Sequence, residues 1–176
     1  MSDDEDRPLP RSADGLLATG QRALEKGDLA EAEAAFQEVR SDRPERWEGH
    51  LGVARVRALR SDVTGAFLHA QDAIRADHAC VPAYQLLAQI GFHGGVADVA
   101  IEWLEHGAQE LPTEALLFEW LVRLYAVEGR LDDLRACLAH YAQLRGRSLG
   151  DAALLFARDP TTSEDVRSRI VAASRG

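Results

Sequence analysis

An all-α solenoid of four stacked helical hairpins is the fold this sequence predicts, on three observations. A short turn signal returns every 34 residues: Gly27-Asp28-Leu29, Ser61-Asp62-Val63, Gly95-Val96-Ala97 and Gly129-Arg130-Leu131. Each turn is flanked by two amphipathic segments of helical length. Alanine, which loses no side-chain entropy on ordering, is abundant, while the chain holds only 6 Pro. One hairpin cannot bury its apolar faces alone, so units repeating at this period must stack to share one continuous core.

The elements follow in chain order. Residues 1–12, MSDDEDRPLPRS, are acidic and polar and are expected to form a disordered tail. The first unit, 13–46, places helices at 14–26 and 29–41, and the second, 47–80, at 46–60 and 63–76. The third unit, 81–114, places them at 81–93 and 96–109. The fourth, 115–148, places them at 114–127 and 131–144. Pro44 and Pro112 stop the second helices of the first and third units. Residues 149–176 are expected to supply C-terminal capping helices. Ser148-Leu149-Gly150-Asp151 resembles a capping box opening a helix over 149–157, and Asp159-Pro160 breaks it. Thr162-Ser163-Glu164-Asp165 then starts a last helix to about 174, with Val166, Ile170 and Val171 on one side. The exposed end of a solenoid core needs such a cover, although end-to-end assembly through this helix is an alternative.

Other columns keep the same phase. A bulky column reads Leu16, His50, Tyr84, Phe118, and four residues later a small one reads Gly20, Ala54, Ala88, Val122. Beyond the turn come Ala32, Ala66, Ala100, Leu134, then Phe36, Ala70, Leu104, Leu138. Small residues let the two helices of a unit approach, and large ones fill the space between units. These four phased copies resemble the tetratricopeptide repeat (TPR) family over about three quarters of the chain. Departures from the family pattern are His78 where proline is usual, Gly91 where tyrosine is usual, and Val122, Leu134 and Tyr141 at small-residue positions of the fourth unit.

The resemblance implies a right-handed α-α superhelix whose first helices line a concave wall. In that phase the groove columns are Leu17, Leu51, Gln85, Glu119, then Gln21, Arg55, Gln89, Arg123, then Leu24, Ala58, Phe92, Ala126, with Leu59 and His93 alongside. Gln offers a donor and an acceptor to a peptide backbone, and Arg offers a planar fork to a carboxylate. Leu17, Leu24, Leu51, Leu59 and Phe92 offer apolar area for a partner's helix or extended segment. Some family members hold a chaperone's C-terminal carboxylate with Lys and Asn on the inner helices. Here Leu17 and Gln21 occupy the matching first-unit positions, so no Hsp70 or Hsp90 co-chaperone role is expected. Trp47, Trp103 and Trp120 are read as packing residues.

The net charge of −9 and the lack of a basic cluster exclude a nucleic-acid or anionic-membrane partner from the expectation. The N-terminal stretch lacks the apolar segment of a secretory signal, so a cytoplasmic location is expected. Cys80 and Cys137 stand alone and read as free, buried thiols. Lys26 is the single lysine among 20 basic residues, a bias associated with GC-rich, bacterial genomes. His50, His69, His78, His93, His106 and His140 form no HExxH and no Cys/His motif, and Glu102/His106 reads as a surface pair. There is no phosphate loop and no nucleophile elbow. No cofactor, metal or catalytic residue is therefore expected.

The expected function is an adaptor or scaffold holding a peptide or helix of another protein. The alternatives are a secretion-type chaperone shielding an export substrate and a self-assembling scaffold, a homo-oligomer.

Overall fold

The computed structural model describes residues 12–175. The expected disordered tail falls outside them except for Ser12. Among the described residues there are ten helices and no strand. The first hairpin is α1 (Ala13–Lys26) and α2 (Leu29–Asp42), and the second is α3 (Trp47–Leu59) and α4 (Val63–Ala76). The third is α5 (Val81–Gly94) and α6 (Ala97–Glu110), and the fourth is α7 (Ala115–Glu128) and α8 (Leu131–Leu144). Two shorter helices follow, α9 (Leu149–Ala157) and α10 (Glu164–Ala173).

Local chemistry fixes the ends. Ser12 Oγ accepts from the Gly15 N–H to start α1, and Asp28 and Asp62 accept from Glu31 and Gly65 to start α2 and α4. Ser148 and Ser163 do the same for α9 and α10. At each hairpin turn one residue takes the left-handed conformation: Gly27 (φ 78°), Ser61 (φ 62°), Gly95 (φ 72°) and Gly129 (φ 73°). The next N–H reaches back to the same carbonyl each time. Asp28 donates to Ala23 at 2.9 Å, Asp62 to Arg57 at 2.9 Å, Val96 to Gly91 at 3.3 Å, and Arg130 to Tyr125 at 3.0 Å. The 34-residue period of the sequence is thus one hydrogen bond repeated four times.

Each helix packs on the next in the chain. In addition α1 touches α3, α3 touches α5 and α5 touches α7, while no two second helices of successive hairpins pack together comparably. The first helices therefore form the closer-spaced, inner wall of the stack. Between the walls Ala32, Ala66, Ala100 and Leu134 are fully buried. Close approach is enforced by glycine. A Cβ on Gly20 or Gly52 would lie 2.7 or 2.3 Å from the Phe36 ring, and one on Gly107 would lie 2.6 Å from Tyr84. At Gly91, the departure from tyrosine, a Cβ would already stand 2.4 Å from that of Ala100. Cys80 and Cys137 are buried and free, and burial pushes their thiols up to about 11 and about 12.

Ser61 is the one non-glycine residue with positive φ among the described residues, and its Cβ is disfavoured there by roughly 1 kcal/mol. Ser61→Gly is expected to stabilise the chain by roughly 0.5 kcal/mol after the entropy of a freer unfolded state, a rise of about 1–2 °C in Tm. The reverse change, Gly27→Ser or Gly129→Ser, is expected to lower Tm. Thermal melts followed by circular dichroism measure both.

Candidate functional site: the inner wall

The inner wall is built by α1, α3, α5 and α7, and the fourteen residues expected to face a groove all lie on these helices. The structure gathers them into two groups. Leu17 and Gln21 of α1 and Leu51 and Arg55 of α3 line one cavity of about 230 Å³, together with Phe36, Trp47, Glu48, Gly52 and Pro82. Gln21 Nε2 donates to Glu25 at 3.3 Å. Glu48 is held by Arg46 at 2.7 Å, and Arg46 also reaches Asp14 at 2.7 Å. The bond from Arg46 holds the Glu48 carboxyl below the usual carboxylate range. Arg55 is exposed and has no hydrogen bond or ion pair among the described residues. The cavity thus joins apolar walls to one free guanidinium.

The second group lies further along. Phe92 meets His93 edge-on at 5.1 Å and Trp120 at 6.3 Å. Next to them Arg123 is not free. Its side chain is only 15% exposed, its Nη1 donates to Asp159 at 2.7 Å, and its Nη2 lies 3.6 Å from Glu119. The guanidinium also sits 5.7 Å from the Trp120 ring and 5.4 Å from the Phe156 ring. Asp159 follows α9, so the C-terminal segment itself covers the inner wall of the last hairpin. α10 completes the cover against α7 and α8. Arg169 donates to the Ala126 and Val127 carbonyls at 2.8 and 2.9 Å, closing the free end of α7.

The remaining residues are dispersed. Gln85 is half-buried and Gln89 exposed, with no side-chain hydrogen bond among the described residues. Leu24 packs on the small core around Ala23 and Phe36. Leu59, at the end of α3, is 62% exposed. Trp47 and Trp120, read as packing residues, pack half-buried against the core and also border the wall, Trp47 at the cavity and Trp120 against Phe92 and Arg123. A signal for Trp47 was present, since Trp47, Leu51 and Arg55 are spaced four apart on one helix face. Trp103 packs half-buried against the core, with Arg75 5.5 Å from its ring.

With this geometry the comparisons become interpretable. No protein-family model matches the sequence, and no curated protein matches it. Solved structures do. The crystal structure of MamA protein superposes with a TM-score of 0.66 at 17% identity, over 92% of this chain and 87% of that one. YrrB, described as a TPR protein with an unusual peptide-binding site, gives 0.63 at 13% identity, over 94% and 88%. The TPR2B domain of yeast Sti1, in complex with an Hsp70 peptide, gives 0.52 at 19% identity, over 76% and 96%.

The chain has the tetratricopeptide-repeat fold. Its four left-handed turns and contiguous inner helices are the TPR hairpin stack. No helix among the described residues is long and apolar enough to cross a membrane. The inner wall of its last hairpin is covered by the chain's own C-terminal segment, through Asp159 on Arg123.

Asp159 is held to about 2, first by hydrogen bonds from the Thr161 hydroxyl and N–H and then by Arg123. A depressed carboxylate stabilises the folded state above its unfolded value, and that stability is lost as pH falls through the folded value. The cover is therefore expected to loosen between about pH 4 and pH 2. Asp159→Asn is expected to loosen it at neutral pH. Hydrogen exchange should rise across 149–173 in both cases and remain unchanged in α3 and α4. Unaltered exchange of 149–173 in the variant would show that the ion pair does not hold the cover.

Proposed function

We propose that this chain is a protein-interaction adaptor that holds a peptide or helical segment of another protein against its inner wall. In this reading the hairpins of 13–148 are the binding body, and 149–176 is its cap. The observation that carries it is the cavity between α1 and α3, lined by Leu17, Trp47 and Leu51 beside the exposed Arg55, whose guanidinium has no ion pair among the described residues. A desolvated apolar anchor beside a charge-assisted hydrogen bond is the arrangement that concentrates binding energy in few residues.

The chain's own C-terminal segment supports the kind of partner. Arg55 and Arg123 are two periods apart in one column. Arg123 already holds a carboxylate, from Asp159, beside an aromatic ring, from Phe156 three residues earlier. The partner for the open end accordingly carries an acidic residue with a bulky apolar residue about one helical turn away. YrrB and the Sti1 domain, both described with bound or binding peptides, support use of this fold for that purpose. Leu17 and Gln21 supply no cation, so the grip rests on Arg55 rather than on the first hairpin. Self-assembly through α10 is the weaker reading, because Val166, Ile170 and Ala173 are buried within the same chain.

Capture from native lysate by wild type, Arg55→Ala and Arg135→Ala tests the reading. Arg135 lies exposed on α8, away from the wall. Arg55→Ala is expected to weaken retention of the specific partner by about tenfold, the loss of one hot-spot side chain. Arg135→Ala should retain it. Equal retention by all three proteins would refute an Arg55-centred grip.

A further inference from the structure

A second polar cluster lies away from the inner-wall cavity, at the junction of α2, α3 and α4. One ring nitrogen each of His50 and His69 and one carboxylate oxygen of Asp72 all lie within 4.8 Å of one another. The three side chains are half-buried. The His50 ring is oriented by its other nitrogen, since Nε2 lies 2.9 Å from the Pro44 carbonyl and must donate to it. Nδ1 is then the unprotonated nitrogen, with its lone pair free. That Nδ1 is buried and has no hydrogen-bond partner. A buried acceptor left unmade is costly. An imidazole whose far nitrogen donates to a backbone carbonyl is also the usual support of a metal-ligating histidine.

The other two side chains are similarly prepared. His69 Nδ1 lies 3.8 Å from Asp72 Oδ2. Asp72 Oδ1 accepts from Arg75 at 2.9 Å, which orients the carboxylate and leaves Oδ2 toward the cluster. Burial, then Arg40, disfavours the charged form of the His69 ring. Arg40 Nη1 stands 3.3 Å from His69 Nδ1. A guanidinium has no acceptor, so Arg40 donates and Nδ1 carries a lone pair. Two ring nitrogens and a carboxylate oxygen thus converge within 4.8 Å of one another.

We propose that His50, His69 and Asp72 form a site for a borderline divalent transition metal, zinc being the simplest case. Two imidazoles and a carboxylate suit zinc, copper or nickel, and not the hard cations calcium and magnesium. Three protein ligands leave the fourth tetrahedral position to water. Arg40 is the competitor, because it occupies the His69 lone pair and adds positive charge. It stands on the long side chain of a neighbouring helix and must swing outward as the ion enters. The bound ion would tie α3 to α4 through groups 19 and 22 residues apart in sequence.

The test uses the untagged full chain, stripped with a chelator and titrated with zinc at neutral pH by calorimetry. Cobalt serves as the spectroscopic probe of tetrahedral coordination. The expected result is one ion per chain, with binding weakened at least about tenfold in each of His50→Gln and His69→Gln. Arg40→Met is expected to tighten binding about threefold or more by removing the competing donor and charge. A tetrahedral cobalt spectrum should appear in wild type and vanish in His50→Gln. Circular dichroism confirms that each variant keeps its helicity. No binding to the wild type, or equal binding by wild type and both histidine variants, would overturn the proposal. So would binding lost instead in His78→Gln or His106→Gln. None of these outcomes bears on Arg55, so failure here leaves the inner-wall reading intact.

Discussion

The structure depends first on the geometry of four tight turns. Each hairpin closes through one left-handed residue and one backward hydrogen bond, from the residue after it to the carbonyl five positions before it. That bond satisfies a carbonyl the helix end would otherwise leave open, and it fixes the angle at which the second helix leaves the first. Repeating the bond every 34 residues repeats the angle, and the first helices accumulate on one wall. Any side-chain column on those helices then runs along the stack. The spacing of the inner-wall side chains follows from this backbone constraint.

The two ends of the wall differ in electrostatics although they share a column. Arg123 is neutralised within the chain, by Asp159 at 2.7 Å and more distantly by Glu119. Among the described residues Arg55 has no such partner, and the neighbouring carboxylate of Glu48 is bound to Arg46. Arg55 stands exposed at the cavity in a chain of net charge −9. It attracts acidic groups at short range while the remaining surface repels them at longer range. The cap makes this contrast sharper, since it removes the second cation from competition for the same ligand.

Much of this was legible in the sequence, and the parts that were not share one cause. Every helix boundary read from turn signals and periodicity lies within a residue of the observed one, because glycine, aspartate and proline act locally. The tight packing at Gly20 was legible as a small-residue column. The Phe36 ring wedged against both Gly20 and Gly52 was not, since Gly52 lies outside that column. Arg123 and Asp159 are 36 residues apart, and His50 and His69 are 19 apart, so neither pair forms a motif. Each is created by a crossing that the period specifies only after the chain has folded. Trp47 and Trp120 both pack against the core and border the wall. Aromatic residues serve core and surface equally well, and one residue of helical rotation decides between them.

Phe36 also explains why the open cavity lies where it does. The buried apolar residues form one large cluster from α3 to α10 and a small separate one, in which Ala23, Ala32 and Phe36 meet Val53 and Val56 of α3. The Phe36 ring lies at the joint between the first two hairpins, packed against both Gly20 and Gly52. That ring also lines the cavity beside Leu17 and Arg55. A segment seated there would touch both sides of the seam between the first two hairpins. Solenoid stability is carried by nearest-neighbour interfaces, so a segment bridging this seam would reinforce one of them. At the opposite end the seam is already closed, by Arg169 on the α7 carbonyls and Asp159 on Arg123. The inner wall is thus covered by the chain's own C-terminal segment at one end and left open at the other, where Arg55 lies.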